Sequence, residues 1–173
     1  MLQLISEFWE TGKTGTALLI QGYNIIKGDE TMNFINDPVF GQVCYRHGWS
    51  KNQEVSFWNK TMVLRITAAA YTDQGINDIQ RQNYKDFIEN INYYSEKSLE
   101  AVASYIEDNK QNIAMYLPKG KSITNVTDIV FPKAVVFSKD NSYGILCDCE
   151  WDIENGIVIQ IPGFKVGPQD MFL

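Results

Sequence analysis

The sequence predicts an α+β fold, an antiparallel β-sheet meander with two consecutive helices, at about 77–93 and 96–116, inserted between N-terminal and C-terminal strands. Three observations predict it. Short runs of β-branched and aromatic residues fill the stretches on either side of the chain's middle. Between them, apolar residues recur at helical spacing. The strand runs succeed one another through tight turns, which joins neighbours antiparallel.

Residues 1–31 read as an N-terminal extension, with a loose apolar face (Leu2, Ile5, Phe8, Trp9), a Gly/Thr-rich patch and a short apolar stretch from Leu18 to Ile26. Met32 opens a single α+β domain, 32–173. Strands are expected at Val39 to His47 and over 54–70, the latter folded into a hairpin at Asn59-Lys60. Asn77 is placed to cap the first helix, with Gln80 three residues on as a capping-box partner. Ile79, Tyr84, Phe87, Ile88, Ile91 and Tyr94 make its apolar stripe. Ser95 is the expected N-cap of the second helix. Leu99, Val102, Ala103, Ile106, Ile113 and Ala114 are its buried side, and Pro118 and Gly120 end it. Strands then resume on either side of Pro132. Tyr143 to Trp151 reads as a strand, Asp152 to Gly156 as a tight turn and Ile157 to Ile161 as the return strand. Phe164 to Val166 and Asp170 to Leu173 close the chain.

At 173 residues the chain has the size of one domain. A chain of this length buries roughly 70% of its unfolded surface, and 45% hydrophobic residues can supply that core without metal or disulfides. The net charge of −6, from 15 basic and 21 acidic residues, and the lack of a basic stripe argue against nucleic acid. No basic leader and no apolar run of ~20 residues is present, so neither a targeting segment nor a membrane partner is expected. The three cysteines, Cys44, Cys147 and Cys149, are an odd number. Strand neighbours two apart lie about 6.6 Å from each other with parallel side chains, a poor fit to a disulfide. Reduced thiols of a cytoplasmic protein fit best.

Several fragments hint at chemistry without completing it. Gly12-Lys13-Thr14 resembles the end of a phosphate-binding loop, but Glu7 stands where the loop needs its first glycine. His47 is the only histidine, and no Gly-x-Ser-x-Gly elbow accompanies it. Cys44, His47, Cys147 and Cys149 are zinc-ligand types without a C-x₂-C pair. No catalytic residue, metal site or cofactor is assigned.

The unusual stretch runs from Cys147 to Gly156. Alternation puts Cys147, Cys149 and Trp151 on one face and Asp148 and Glu150 on the other. Asp152, Glu154 and Asn155 come next, with Gly156 suited to a positive φ. Such carboxylates could bind a hard cation, act as an acid/base pair, or simply hold a hairpin. Gln169 and Asp170 could approach the hairpin if the strands pair. The candidate binding residues are therefore Asp148, Glu150, Trp151, Asp152, Glu154, Gln169 and Asp170.

The same residues carry a resemblance. The run Tyr143-Gly144-Ile145-Leu146-Cys147-Asp148-Cys149-Glu150-Trp151-Asp152-x-Glu154-x-Gly156, and after it Gly167-Pro168-Gln169-Asp170, resembles a bacterial domain family of unknown function. Asp37-Pro38-Val39-Phe40-Gly41, Gly48-Trp49 and the Phe57-Trp58-Asn59-Lys60 arm match as well. The resemblance spans about residues 33–173 and implies a small bacterial cytoplasmic protein of α+β type. Similar proteins often have His after the Glu of W-D-x-E, where this chain has Asn155, so imidazole chemistry is not expected there. Some small families of this kind are immunity partners of secreted toxins, which is an analogy only.

The expectation is thus a non-enzymatic protein-binding module, immunity-like in type. Two alternatives stay beside it: a metal-binding or hydrolytic domain using the acidic hairpin, and a structural homo-oligomer subunit.

Overall fold

The computed structural model describes residues 24–26, 31–71 and 73–172. Among the described residues, nine strands stand side by side in chain order: β1 (Asn24–Ile26), β2 (Thr31–Asp37), β3 (Gly41–Tyr45), β4 (Trp49–Phe57), β5 (Lys60–Ala68), β6 (Val130–Phe137), β7 (Tyr143–Cys149), β8 (Asp152–Ile161) and β9 (Lys165–Pro168). Between β5 and β6 lie α1 (Asp78–Glu89), α2 (Ile91–Asp108) and α3 (Lys110–Tyr116). The boundary expected at Met32 falls inside β2. The rest of the expected extension, residues 1–23 and 27–30, and the Gly12-Lys13-Thr14 fragment with it, lies outside the described residues.

The antiparallel meander needs correction. β5 and β6 pair in parallel, Arg65 opposite Ala134 through Ala68 opposite Phe137, so the sheet is mixed. Parallel neighbours need a long crossover, and the helical segment supplies it. That segment also holds three helices, not two. The breaks fall at Asn90 and Asn109, whose backbones leave helical geometry at φ −112 and −111. At each break the Asn side-chain amide donates to the carbonyl four residues back, of Asp86 and Tyr105 respectively. The side chain there competes with the helical ladder. Ser95 is accordingly inside α2 and caps nothing. Its hydroxyl accepts the Trp58 N–H at 2.6 Å.

Turn positions shift too. Phe57 pairs with Lys60, so Trp58 and Asn59 form the β4–β5 turn, both with positive φ. Two left-handed residues match the right-handed twist of a hairpin. Tryptophan is an unfavoured residue there. It is held by the Ser95 contact and by its indole N–H donating to Ser98 at 2.8 Å. Likewise Cys149 pairs with Asp152, so Glu150-Trp151 is the β7–β8 turn and Asp152 already begins β8.

The capping box is as the sequence predicts. Asn77 accepts the Gln80 N–H at 2.8 Å and Gln80 accepts the Asn77 N–H at 3.1 Å. Gln80 does more, because its amide also donates to the Ala69 and Phe137 carbonyls at 2.9 and 2.8 Å. One buried side chain thereby ties the start of α1 to the ends of both parallel strands.

Alternation along β4 to β8 sends one set of side chains under the helices. Phe57, Leu64, Ile66, Val135, Phe137, Ile145, Ile157 and Ile159 meet Phe87, Val102 and Ile106 in the main core. α2 contacts β4 and also β8 and β9, so it reaches across the sheet. The opposite face has its own small cluster of Ala134, Leu146 and Val158, covered by Phe172. Gly144 makes that cover possible, since a Cβ there would sit 2.9 Å from the Phe172 ring.

At the β2–β3 turn, Asp37 accepts the Val39 and Phe40 N–H groups, both at 2.9 Å. Its other oxygen takes Nε and an Nη of Arg81 from α1. Burial alone would raise this carboxyl's pKa, but the guanidinium and the two amides outweigh it and hold the value below 3.8. Phe40 stacks on Tyr84 of the same helix with ring centroids 4.3 Å apart.

Candidate functional site

The β7–β8 tip brings the predicted residues close in the chain while giving each a separate local task. Asp148, the one β7 residue between the paired Cys147 and Cys149, faces a bulge of four β8 residues. Its carboxylate pairs with Lys133 of β6. Glu150 pairs with Lys121 at 3.0 Å, and its own N–H donates to the Ile129 carbonyl at 2.9 Å. Asp152 accepts the Asn155 N–H at 3.2 Å and the Asn155 amide at 3.0 Å. Glu154 and Asp170 are exposed and make no ion pair or hydrogen bond among the described residues. No group of three or more His, Cys, Asp or Glu side chains that could hold a metal occurs among the described residues.

Gln169 has a structural explanation. It is buried, and its amide donates to the Cys147 carbonyl at 3.1 Å. That carbonyl borders the bulge, where the strand ladder is interrupted. Gly156 sits in the bulge at φ 66, as its type predicts. A Cβ on it would lie 2.4 Å from the Cys147 oxygen and 2.6 Å from the Gln169 amide nitrogen. The cysteine, glycine and glutamine of the distinctive C-terminal run are thus parts of one bulge.

The two thiols of β7 are poor nucleophiles. Both cysteines of β7 point into the main core. Burial, reinforced by Cys149 and Asp148, drives the Cys147 thiol far above its ordinary range. Burial likewise pushes Cys149 up to about 11. His47 is an exposed residue of the β3–β4 loop at φ 57, far in sequence from the tip.

What the tip does offer is apolar surface. Ile153 is 78% exposed, Tyr116 69% and Phe131 42%. On one side, Phe131, Cys149 and Ile153 line a groove of about 280 Å³ together with Asp148 and Glu150. On the other side, Trp151 and Asp152 meet Tyr105, Asn109, Ile113 and Tyr116 around a groove of about 450 Å³. Trp151 is half-buried and packs against the main core, so it anchors the tip between the two. Ile153, Phe131, Tyr105 and Tyr116 were not singled out by the sequence. The one available signal was an isoleucine between two acids at Asp152-Ile153-Glu154. A larger groove of about 610 Å³ flanks the β4–β5 turn, but its Ser95 is already committed to Trp58.

Fold and tip together define a small mixed-sheet domain with helices over one face and a bulged acidic hairpin at one end. The chain belongs to the DUF6985 family, a domain of unknown function, whose model matches residues 39–173. No curated protein and no solved structure matches it. No helix among the described residues is long and apolar enough to cross a membrane.

Proposed function

We propose that this domain is a non-enzymatic binding module of a bacterial cytoplasm, and that the β7–β8 tip with α3 is its protein-binding face. The observation that supports it is the exposure of Ile153, which shares a groove with Phe131, Asp148 and Glu150, and of Tyr116, which lines a second groove with Trp151 and Asp152. Apolar side chains grouped inside a polar rim are the usual make-up of an interaction patch. An immunity-like role is one form of this reading.

The rival use of the same acids, as a cation or hydrolytic site, fits the geometry less well. Asp148 and Glu150 are answered by lysines and Asp152 by Asn155, so their oxygens are committed apart from one another. A photo-crosslinking residue at position 153, expressed in the host, tests the binding face. One defined adduct at 153, absent from a control at the exposed Val63 and lost on Phe131→Asp, is the expected result. Identical patterns at both positions, or none at 153, would remove the reading. A melting-temperature rise with Ca²⁺, Mg²⁺, Mn²⁺ or Zn²⁺ would favour the rival.

A further inference from the structure

On different strands from the tip, the sheet face turned away from the helices holds a second site. We propose that the pocket over β3, β4 and β5 binds a small oxyanion, with the Arg65 guanidinium as its main donor. The pocket is lined by Phe34, Cys44, Arg46, Ser50, Asn52 and Arg65, with a volume of about 240 Å³. The strand register explains the grouping. Cys44 stands opposite Ser50, and Asn52 opposite Arg65, with Phe34 beside Cys44. Lys51 also borders it, but its ammonium is committed to the Phe40 carbonyl on the helix side.

Arg65 is the feature that points to a ligand. It is exposed in the middle of a central strand, yet no carboxylate lies within ion-pair distance among the described residues. Its cross-strand neighbours are the neutral Asn52 and Ala134. Glu54, two residues beyond Asn52 on the same face, forms no ion pair with it. Three other cations near the sheet do have carboxylate partners, Arg81 in Asp37, Lys133 in Asp148 and Lys121 in Glu150. The pocket therefore sets the Arg65 guanidinium beside the Asn52 amide, on a chain whose net charge is −6, while the Ser50 hydroxyl in its wall already donates to the Cys44 carbonyl at 3.4 Å. A guanidinium offers a planar fork of donors that matches two oxygens of a phosphate or carboxylate. The volume lies below the roughly 300–1,000 Å³ of pockets for organic ligands, which limits the occupant to a small anion or one anionic group.

The test is a titration of the full chain with inorganic phosphate, and separately with acetate, at constant ionic strength. Backbone amide signals are monitored by NMR. Saturable shifts centred on Ser50, Asn52 and Arg65 are expected. Arg65→Gln should weaken binding by about tenfold or more, and Arg65→Lys, which keeps the charge but loses the fork, by less. Preference for phosphate or for acetate identifies which oxyanion the site takes. Absence of saturable shifts with both anions, shifts centred elsewhere, or undiminished binding by Arg65→Gln would overturn the proposal. If Arg65→Gln does not fold, the map of shifts on the native chain decides by itself.

Discussion

Single residues in this domain carry several backbone obligations at once. Gln169 satisfies the Cys147 carbonyl where the β7–β8 ladder breaks. Gln169→Leu keeps the volume but leaves that buried acceptor unpaired, and should cost about 1–3 kcal/mol in urea unfolding. Gly156→Ala meets both a left-handed φ and the same carbonyl oxygen, so a loss of at least ~2 kcal/mol is expected by the same measurement. Asp37 gives a pH signature. Its folded pKa lies below the ordinary 3.8. Its contribution is therefore complete above that value and is lost as pH falls through the lower, folded value. Asp37→Asn should cost about 2–3 kcal/mol near neutrality. It should also flatten the fall of stability below about pH 4, read from unfolding curves taken across that range. The Asn77–Gln80 box was legible from four adjacent residues, because both its hydrogen bonds are local. The further bonds from Gln80 to Ala69 and Phe137 were not, since they join residues 11 and 57 positions away.

At the scale of elements, period and turn chemistry located most strands and helices. They erred at the joints. The Asn59-Lys60 turn moved by one residue because Trp58 accepts a positive φ that its type disfavours, and only Ser95 and Ser98 of α2 explain why. The predicted second helix splits at Asn109, a residue whose side chain suits either a helix or its end. The Asp152–Gly156 turn became strand, because the chain reverses at Glu150-Trp151 and Gly156 makes a bulge instead. The C-terminal element acts as a cover. Phe172 closes the small cluster of Ala134, Leu146 and Val158 on the face away from the helices. Phe172→Ala should destabilise the domain by about 1–3 kcal/mol, less than the ~3–5 of a fully buried phenylalanine, because the ring is only half-buried. A fluorescence-monitored denaturant curve checks this.

Across the whole molecule, burial divides the thiols into two kinds. Cys147 and Cys149 are buried and held protonated, whereas Cys44 is half-buried on the other face. Native protein at pH 8 should therefore react with a disulfide reagent at one thiol quickly, and at all three only after unfolding. Two fast thiols would contradict the packing of β7. The same sorting by burial separates the candidate residues. Asp148, Glu150 and Asp152 are answered by Lys133, Lys121 and Asn155, and Gln169 belongs to the bulge. The surface that remains at the tip is the apolar set around Ile153, which composition could not reveal.

Short-range rules, readable from the chain alone, located the helical stretch, the alternation that builds the core, the cap of α1 and the positive φ of Gly156. The parallel β5–β6 pairing came only with the tertiary fold, because periodicity identifies a strand but not its neighbour. So did the separate partner that meets each paired acid of the tip, and the gathering of Ile153, Phe131 and Tyr116 at one end of the sheet. Those outcomes depend on contacts between residues tens of positions apart, formed only once the three helices carry the chain across from β5 to β6.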